Sequence, residues 1–370
     1  VSQQPNPFKL SETLLEPVLT ILNQQIDPYL DKGLIDANIV TSLDIEEKQL
    51  QLGLCYPYPC VSQYRDRVMS ITKALATLPE IDEVACEIDF KPPTAVMNAS
   101  ADKIKNIEHV IAVSSGKGGV GKSTTAVNFA LALAAEGARV GILDADIYGP
   151  SIPIMLGIED FRPTSADGVM MSAAHAHGIT AQSIGFMIVD DQAAVWRGPM
   201  AAGALGQLIK ETEWPELDYL VVDMPPGTGD IQLSLSQHVP VSGAVVVTTP
   251  QDIATADAKK GISMFNKVNI PVLGIVENMS FYLCPECGNK DHIFGEDGGL
   301  NIAKRYNVPL LGRLPLNTQI RDEADSGNPT VVAQPDSEVS NLYKSIARSA
   351  TSQLVKIAQT DTISIEITDE

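Results

Sequence analysis

Apolar and polar positions divide the chain into two textures. In residues 8–90, Leu14, Leu15, Val18, Leu19 and Leu22 recur at helical spacing, Val61 to Leu78 repeats that pattern, and Gln49 to Leu54 alternates like a half-buried strand. This segment predicts a small α+β domain. Lys91-Pro92-Pro93 breaks the pattern, and the stretch to Asn106 is polar and poor in large apolar side chains, which predicts a linker over 91–107. From His109 onward, short runs rich in Val, Ile and Leu alternate with helical segments. Strands are expected at 109–115, 138–144, 179–184, 218–223, 243–249, 271–276 and 308–314, and helices such as 122–135 and 254–268 lie between them. Continuous apolar runs are what strands buried on both faces require. Residues 108–357 therefore predict an α/β domain with a doubly wound, mostly parallel sheet, whose ligands sit at the carboxyl ends of the strands. In the acidic tail, 358–370, the alternation of Asp361 to Glu370 reads as a last strand or as a solvated end.

Charge and cysteine usage narrow the function classes. The formal net charge is −20, and an acidic surface repels phosphate backbones, so nucleic acid is not an expected partner. No segment approaches the length of a membrane span, and the opening Val1 to Glu12 is polar, without an apolar run of signal-peptide length. A soluble, cytoplasmic protein with no membrane partner is expected. The five cysteines, Cys55, Cys60, Cys86, Cys284 and Cys287, are too few and odd in number for a disulfide scaffold in a chain of 370 residues. Metal or thiol chemistry is the better reading of the close pair.

Gly116-Lys117-Gly118-Gly119-Val120-Gly121-Lys122-Ser123-Thr124 follows an expected strand and opens an expected helix, the context a phosphate-binding P-loop requires. Its glycines let backbone N–H groups turn toward phosphate oxygens, and the helix N-terminus adds partial positive charge. Lys122 is expected at the β- and γ-phosphates of ATP and Ser123 on Mg²⁺. Two acidic clusters follow. Asp144-Ala145-Asp146 ends one apolar strand, and Asp146 can position an attacking water. Asp218 to Asp223 is a second apolar strand, and the aspartate ending it, Asp223, is placed to hold Mg²⁺. Pro225-Pro226-Gly227-Thr228-Gly229-Asp230 suits a loop that senses the γ-phosphate.

Cys284-Pro285-Glu286-Cys287-Gly288 is a CxxC loop able to face two thiolates at one metal. A structural zinc site or a 4Fe–4S cluster takes four protein ligands, and this loop offers two, with His292 the one further candidate nearby. A symmetric homodimer supplies the missing pair on its two-fold axis. Soft thiolates suit zinc and iron–sulfur alike, so these residues leave the metal open.

Together these motifs resemble the Mrp-type (ApbC-like) P-loop ATPases, relatives of the MinD and ParA group. The resemblance runs from residue 109 to about 335. It rests on Gly116 to Thr124, Asp144 to Ser151, Trp196 to Met200, Asp223 to Asp230, Thr249-Pro250-Gln251, Glu277 to Ser280, Cys284 to Gly288 and Phe294-Gly295. It implies a dimeric carrier that hydrolyses ATP, bridges a 4Fe–4S cluster between two subunits through Cys284 and Cys287, and moves clusters from donor proteins to apoproteins. It also implies that Lys117, which an ordinary P-loop does not require, crosses the dimer to act on the partner's nucleotide, and that Asn278 and the segment after Pro250 lie near the adenine. Residues 8–90 are similar to the small iron–sulfur assembly domain often fused ahead of such ATPases. Ile26-Asp27-Pro28 fits its acidic turn, Tyr29 stands where glutamate is common, and Cys60 falls near that domain's reactive thiol; a packed apolar thiol is the alternative for Cys60. The rival readings are a ParA- or MinD-like positioning ATPase, a zinc-bridged dimeric ATPase and a nitrogenase-like reductase.

Overall fold

The computed structural model describes residues 8–95, 103–187, 198–227, 229, 232–235, 239–284 and 286–364. Trp196-Arg197, Thr228, Asp230, Pro285 and the last six residues of the tail, all singled out above, lie outside them. The chain forms two compact units, Val1–Pro93 and Thr94–Glu370.

In the first unit, strands β1 (Ile26–Asp27) and β2 (Lys32–Gly33) pair beside a three-stranded sheet of β3 (Val40–Glu46), β4 (Gln49–Tyr56) and β5 (Glu83–Phe90). β3 and β4 form an antiparallel hairpin, and β5 returns parallel to β4 after the helix Tyr64–Leu75. The alternation at Gln49 to Leu54 has its cause in packing: Leu50, Leu52, Leu54 and Tyr56 are buried under the helices while their neighbours face outward. In the helix Glu12–Gln24, Leu14, Val18 and Leu22 form the buried stripe.

The second unit is built on one large sheet. Its strands are β6 (Ile107–Ser114), β7 (Val140–Asp144), β8 (Ala174–Ala176), β9 (Ile179–Ser183), β10 (Leu217–Asp223), β11 (Val241–Thr248), β12 (Val272–Leu283), β13 (Lys290–Asp291) and β14 (Leu310–Pro315). The order across the sheet is β14-β12-β11-β6-β10-β7-β9-β8, parallel except at the edge strand β8, and β13 hairpins back on the far end of β12. Ile111, Val113, Leu220, Val221, Val222 and Val245 are at most 1% exposed, which is why these strands read as unbroken apolar runs. All seven expected strands form. β12 runs on from the expected end at 276 to Leu283, because Phe281 pairs with Pro315 and Tyr282 with Asp291 beyond the body of the sheet. The closing helix Glu338–Ser364 passes through residue 357, where the pattern placed the end of this domain, so residues 361–364 continue a helix and are not a strand. Among the described residues no helix is long and apolar enough to cross a membrane.

Candidate functional site

The phosphate-binding turn connects the end of β6 to the helix Lys122–Ala135. Gly121 has φ 78°, and a Cβ there would lie 2.3 Å from Asn278 Nδ2, so both conformation and space exclude a side chain. At Gly116 a Cβ would meet the backbone carbon of Asp257 at 2.1 Å, because the loop lies directly on the helix Asp252–Lys267. Ser115 Oγ donates to Lys117 O at 2.9 Å, Gly227 N donates to Ser115 O at 3.1 Å, and Asn278 Nδ2 donates to Val120 O at 2.9 Å. Gly118 and Gly119 remain exposed and Lys117 half-buried. Asn278, which the resemblance put beside adenine, thus braces the loop backbone through its amide.

Parallel pairing of β6, β7 and β10 gathers the acidic residues at the foot of this turn. Asp144 and Asp223 are register partners at the ends of β7 and β10. Lys122 Nζ lies 2.5 Å from Asp223 Oδ1 and 3.1 Å from Ser123 Oγ, while the buried Asp223 Oδ2 has no hydrogen-bond partner among the described residues. Asp144 is fully buried and accepts from Asp146 N, Ile152 N and Ser183 Oγ, each at 3.1 Å. Burial, and then the charge of Asp223, push the Asp144 carboxyl up to about 7. Asp146 is half-buried; burial raises its carboxyl and the Lys122 charge opposes the rise. Asp223 and Asp146 face the single Lys122 ammonium, with Asp144 buried beside Asp223, an acidic corner that favours a divalent cation. The unpaired Asp223 Oδ2 and the Ser123 hydroxyl are suited to Mg²⁺ chemistry, since both are hard oxygen donors. Sequence reasoning named the Asp144 cluster but gave Asp144 no role, and it missed Ser183 and Gln232. Gln232 Nε2 donates to Ser114 Oγ at 3.3 Å and also to Pro225 O, joining β6 to the loop after β10. A strand-end position is the signal that marks Asp144; Ser183 and Gln232 carry none.

The cysteines sit elsewhere on the same sheet. β12 carries Asn278 at the P-loop and, six residues or roughly 20 Å of strand later, enters the hairpin whose tip holds Cys284 and Cys287. Cys284 N donates to Asn289 O and Gly288 N to Cys284 O, both at 2.9 Å, which closes the turn. Hydrogen bonds from Cys287 N–H, Glu286 N–H and the Cys287 thiol hold the Cys284 thiol below its usual range, favouring the thiolate that binds metals. Cys287 is exposed. His292 is not turned to the pair: Nδ1 meets Ser280 O at 2.9 Å and Nε2 meets Glu296 Oε1 at 3.2 Å. Among the described residues no three His, Cys, Asp or Glu side chains converge on a metal position.

Cys60 lies in the first unit, fully buried at the start of the turn Val61–Gln63. Nearby, Asp27 is 1% exposed and accepts from Arg67 Nη1 at 2.6 Å, Tyr58 Oη at 2.5 Å and two backbone N–H groups. The Arg67 guanidinium lies 4.4 Å over the Tyr56 ring. Tyr29, in the place of the common glutamate, packs edge-on against Tyr58 with ring centroids 5.4 Å apart. The acidic turn is therefore a buried ion pair in a tyrosine cage, and exposure of Cys60 requires local opening.

Comparison with known proteins agrees with both units. Residues 106–351 match the family described as NUBPL iron-transfer P-loop NTPase, and residues 15–88 match the family described as iron-sulfur cluster assembly protein. An iron-sulfur cluster carrier protein of Haemophilus influenzae is 50% identical over 337 residues, 91% of each chain, and one of Salmonella typhimurium is 61% identical over 251 residues, 68% of each. A nucleotide-binding protein of Archaeoglobus fulgidus, solved in complex with ADP, superposes with a TM-score of 0.56 at 36% identity, covering 63% of this chain and 90% of its own. The Pyrococcus furiosus cell division ATPase MinD shares the fold at 21% identity, with a TM-score of 0.51 over 67% of this chain and 98% of its own. With its P-loop, its acidic strand ends and its cysteine hairpin on one parallel sheet, this chain belongs to the NUBPL iron-transfer family of P-loop NTPases.

Proposed function

We propose that this chain is an ATP-hydrolysing iron–sulfur cluster carrier that works as a homodimer. Two copies hold one 4Fe–4S cluster between their Cys284 and Cys287 pairs, accept it from a donor protein and pass it to an apoprotein. The observation that carries this reading is a hairpin tip offering two cysteines and no third ligand among the described residues, in a chain of the iron-transfer family. Two thiolates satisfy half of a cluster, and a two-fold axis supplies the other half. Exposed apolar side chains on the segments that follow β7 and β11 and at the end of β12 support a protein partner there: Tyr148 is 64% exposed, Ile253 72% and Leu283 49%.

At the P-loop, residues Gly116 to Thr124 bind ATP. Ser123 Oγ and Asp223 Oδ2 would hold Mg²⁺, which would supply positive charge to the phosphates. Lys122 turns from Asp223 to the β- and γ-phosphates, so one cation replaces another beside that carboxylate. Asp146 orients the water whose oxygen bonds the γ-phosphorus as the bond to the β–γ bridging oxygen breaks, leaving ADP and phosphate. Lys117 from the other copy adds positive charge where negative charge develops. Hydrolysis changes subunit geometry and thereby cluster retention. Residues 8–90 form an assembly-type domain, joined by the linker 91–107 to an ATPase domain that begins near residue 108. Cys60 is the thiol that this domain could offer after opening.

The test is anaerobic reconstitution with iron and sulfide. A cluster in the dimer, with absorbance near ~400 nm as thiolate-bound iron–sulfur centres give, should transfer to an apoprotein. Stoichiometric zinc without iron would overturn the cluster reading in favour of a zinc-bridged dimer.

A further inference from the structure

Directly behind the cysteine hairpin lies a cavity of about 230 Å³. Phe281 and Leu283, the residues that lead β12 into Cys284, form one wall, and the helices Thr318–Asp325 and Glu338–Ser364 supply Ile320, Glu323 and Glu338. Thr330 also lines it. Phe281 is held in place by Lys290, whose Nζ is 4.0 Å from the ring centroid. Among the described residues the charged lining side chains are the acidic Glu323 and Glu338, with no lysine or arginine.

Two acceptors in this lining have no donor. Thr330 is 3% exposed and its Oγ1 makes no hydrogen bond among the described residues. Glu323 Oε1 accepts from Gln334 Nε2, but its buried Oε2 meets no donor among the described residues. Protein interiors pair nearly all such groups. Apolar surface, uncompensated acid and free acceptors together specify a ligand with an apolar stem and a cationic, hydrogen-donating end. At about 230 Å³ the space falls short of the roughly 300–1,000 Å³ of small-molecule sites. It suits one long side chain.

We propose that this cavity receives an arginine side chain of the apoprotein that takes the cluster, and so seats the recipient beside Cys284. The arginine stem packs on Phe281, Leu283 and Ile320, and its fork donates to Glu323 Oε2 and Thr330 Oγ1, a pairing that a planar guanidinium matches better than an ammonium does. The net charge of −20 draws basic surfaces toward the chain. The choice of a cluster recipient as occupant rests on the carrier reading; the site itself does not.

The experiment titrates the metal-free full chain with the peptide acetyl-Ala-Leu-Arg-Leu-Ala-amide and its citrulline counterpart by calorimetry, so its failure is separate from a failure to load clusters. The arginine peptide should bind saturably. Binding should weaken at least tenfold with citrulline or in Glu323→Gln, and measurably in Thr330→Val. Glu338→Gln, at an exposed position, provides a variant that keeps the fold and should also bind more weakly. The arginine peptide at saturation should slow cluster transfer to apo-ferredoxin while ATP hydrolysis is unchanged. No saturable binding, equal affinity for citrulline, or wild-type affinity in the folded Glu323→Gln and Glu338→Gln variants would overturn the site. Binding without competition, or dissociation of the dimer by peptide, would overturn the recipient as its occupant.

Discussion

Lys122 Nζ and Asp223 Oδ1 lie 2.5 Å apart, with side chains 6% and 0% exposed. The lysine expected at the phosphates and the aspartate expected at Mg²⁺ thus hold each other, and either must be released before it can meet a nucleotide. Lys122→Ala should abolish ATP hydrolysis, but it should not be silent toward folding. Removing one partner of a buried pair leaves the other charge uncompensated, which costs about 3–5 kcal/mol. In nucleotide-stripped protein, denaturant titration should show a loss of that order for Lys122→Ala and recovery of most of it in Lys122→Ala/Asp223→Asn. A double variant no more stable than Lys122→Ala would show that the pair is not what holds this corner.

Asp144 gives the site a pH dependence. Its carboxyl is raised from an ordinary value of 3.8 to about 7, so the folded protein binds a proton that the unfolded chain releases. The stability this contributes is full below the unfolded value and is lost as pH rises through about 7. Mg²⁺ with ATP favours the ionised form, so binding should release protons most strongly near and below pH 7. Calorimetry at pH 6.5 in two buffers of different ionisation enthalpy measures that release; identical heats in both would contradict it.

Cys284 and Cys287 should be separable from the other thiols. Cys284→Ala or Cys287→Ala should remove the cluster absorbance of reconstituted protein, whereas Cys55→Ala and Cys86→Ala, on β4 and β5 of the first unit, should retain it. Alkylation of metal-free protein, followed by mass spectrometry, should label Cys284 and Cys287 first and the buried Cys60 last. Early labelling of Cys60 would show that its cage opens readily.

Lys117 makes a prediction about subunits. If it serves the partner's nucleotide, Lys117→Ala and Lys122→Ala homodimers are both inactive, yet their heterodimer contains one intact site. Mixing under subunit exchange should restore up to about half of the activity per dimer if sites act independently. Verified heterodimers as inactive as either parent would remove the trans role.

The sequence by itself determined the parts that local chemistry enforces. Gly116 and Gly121 permit a turn no other residue fits, unbroken apolar runs demand strands covered on both faces, and Cys284 and Cys287 stand at the spacing of a metal-binding loop. What only the tertiary structure decided are pairings between segments far apart in sequence. β7 and β10 lie side by side, so Asp144 and Asp223 share a buried corner, where burial and then the Asp223 charge raise the Asp144 carboxyl. β12 overruns its expected end because Pro315 and Asp291 offer it partners beyond the sheet. Asn278 turns to Val120, and Glu323 and Thr330 close a cavity behind the cysteines, because helices from the end of the chain pack against that overrun. Periodicity and spacing report which face of an element is covered; they carry no record of which distant side chain covers it, since that is settled by strand order and packing across the whole sheet.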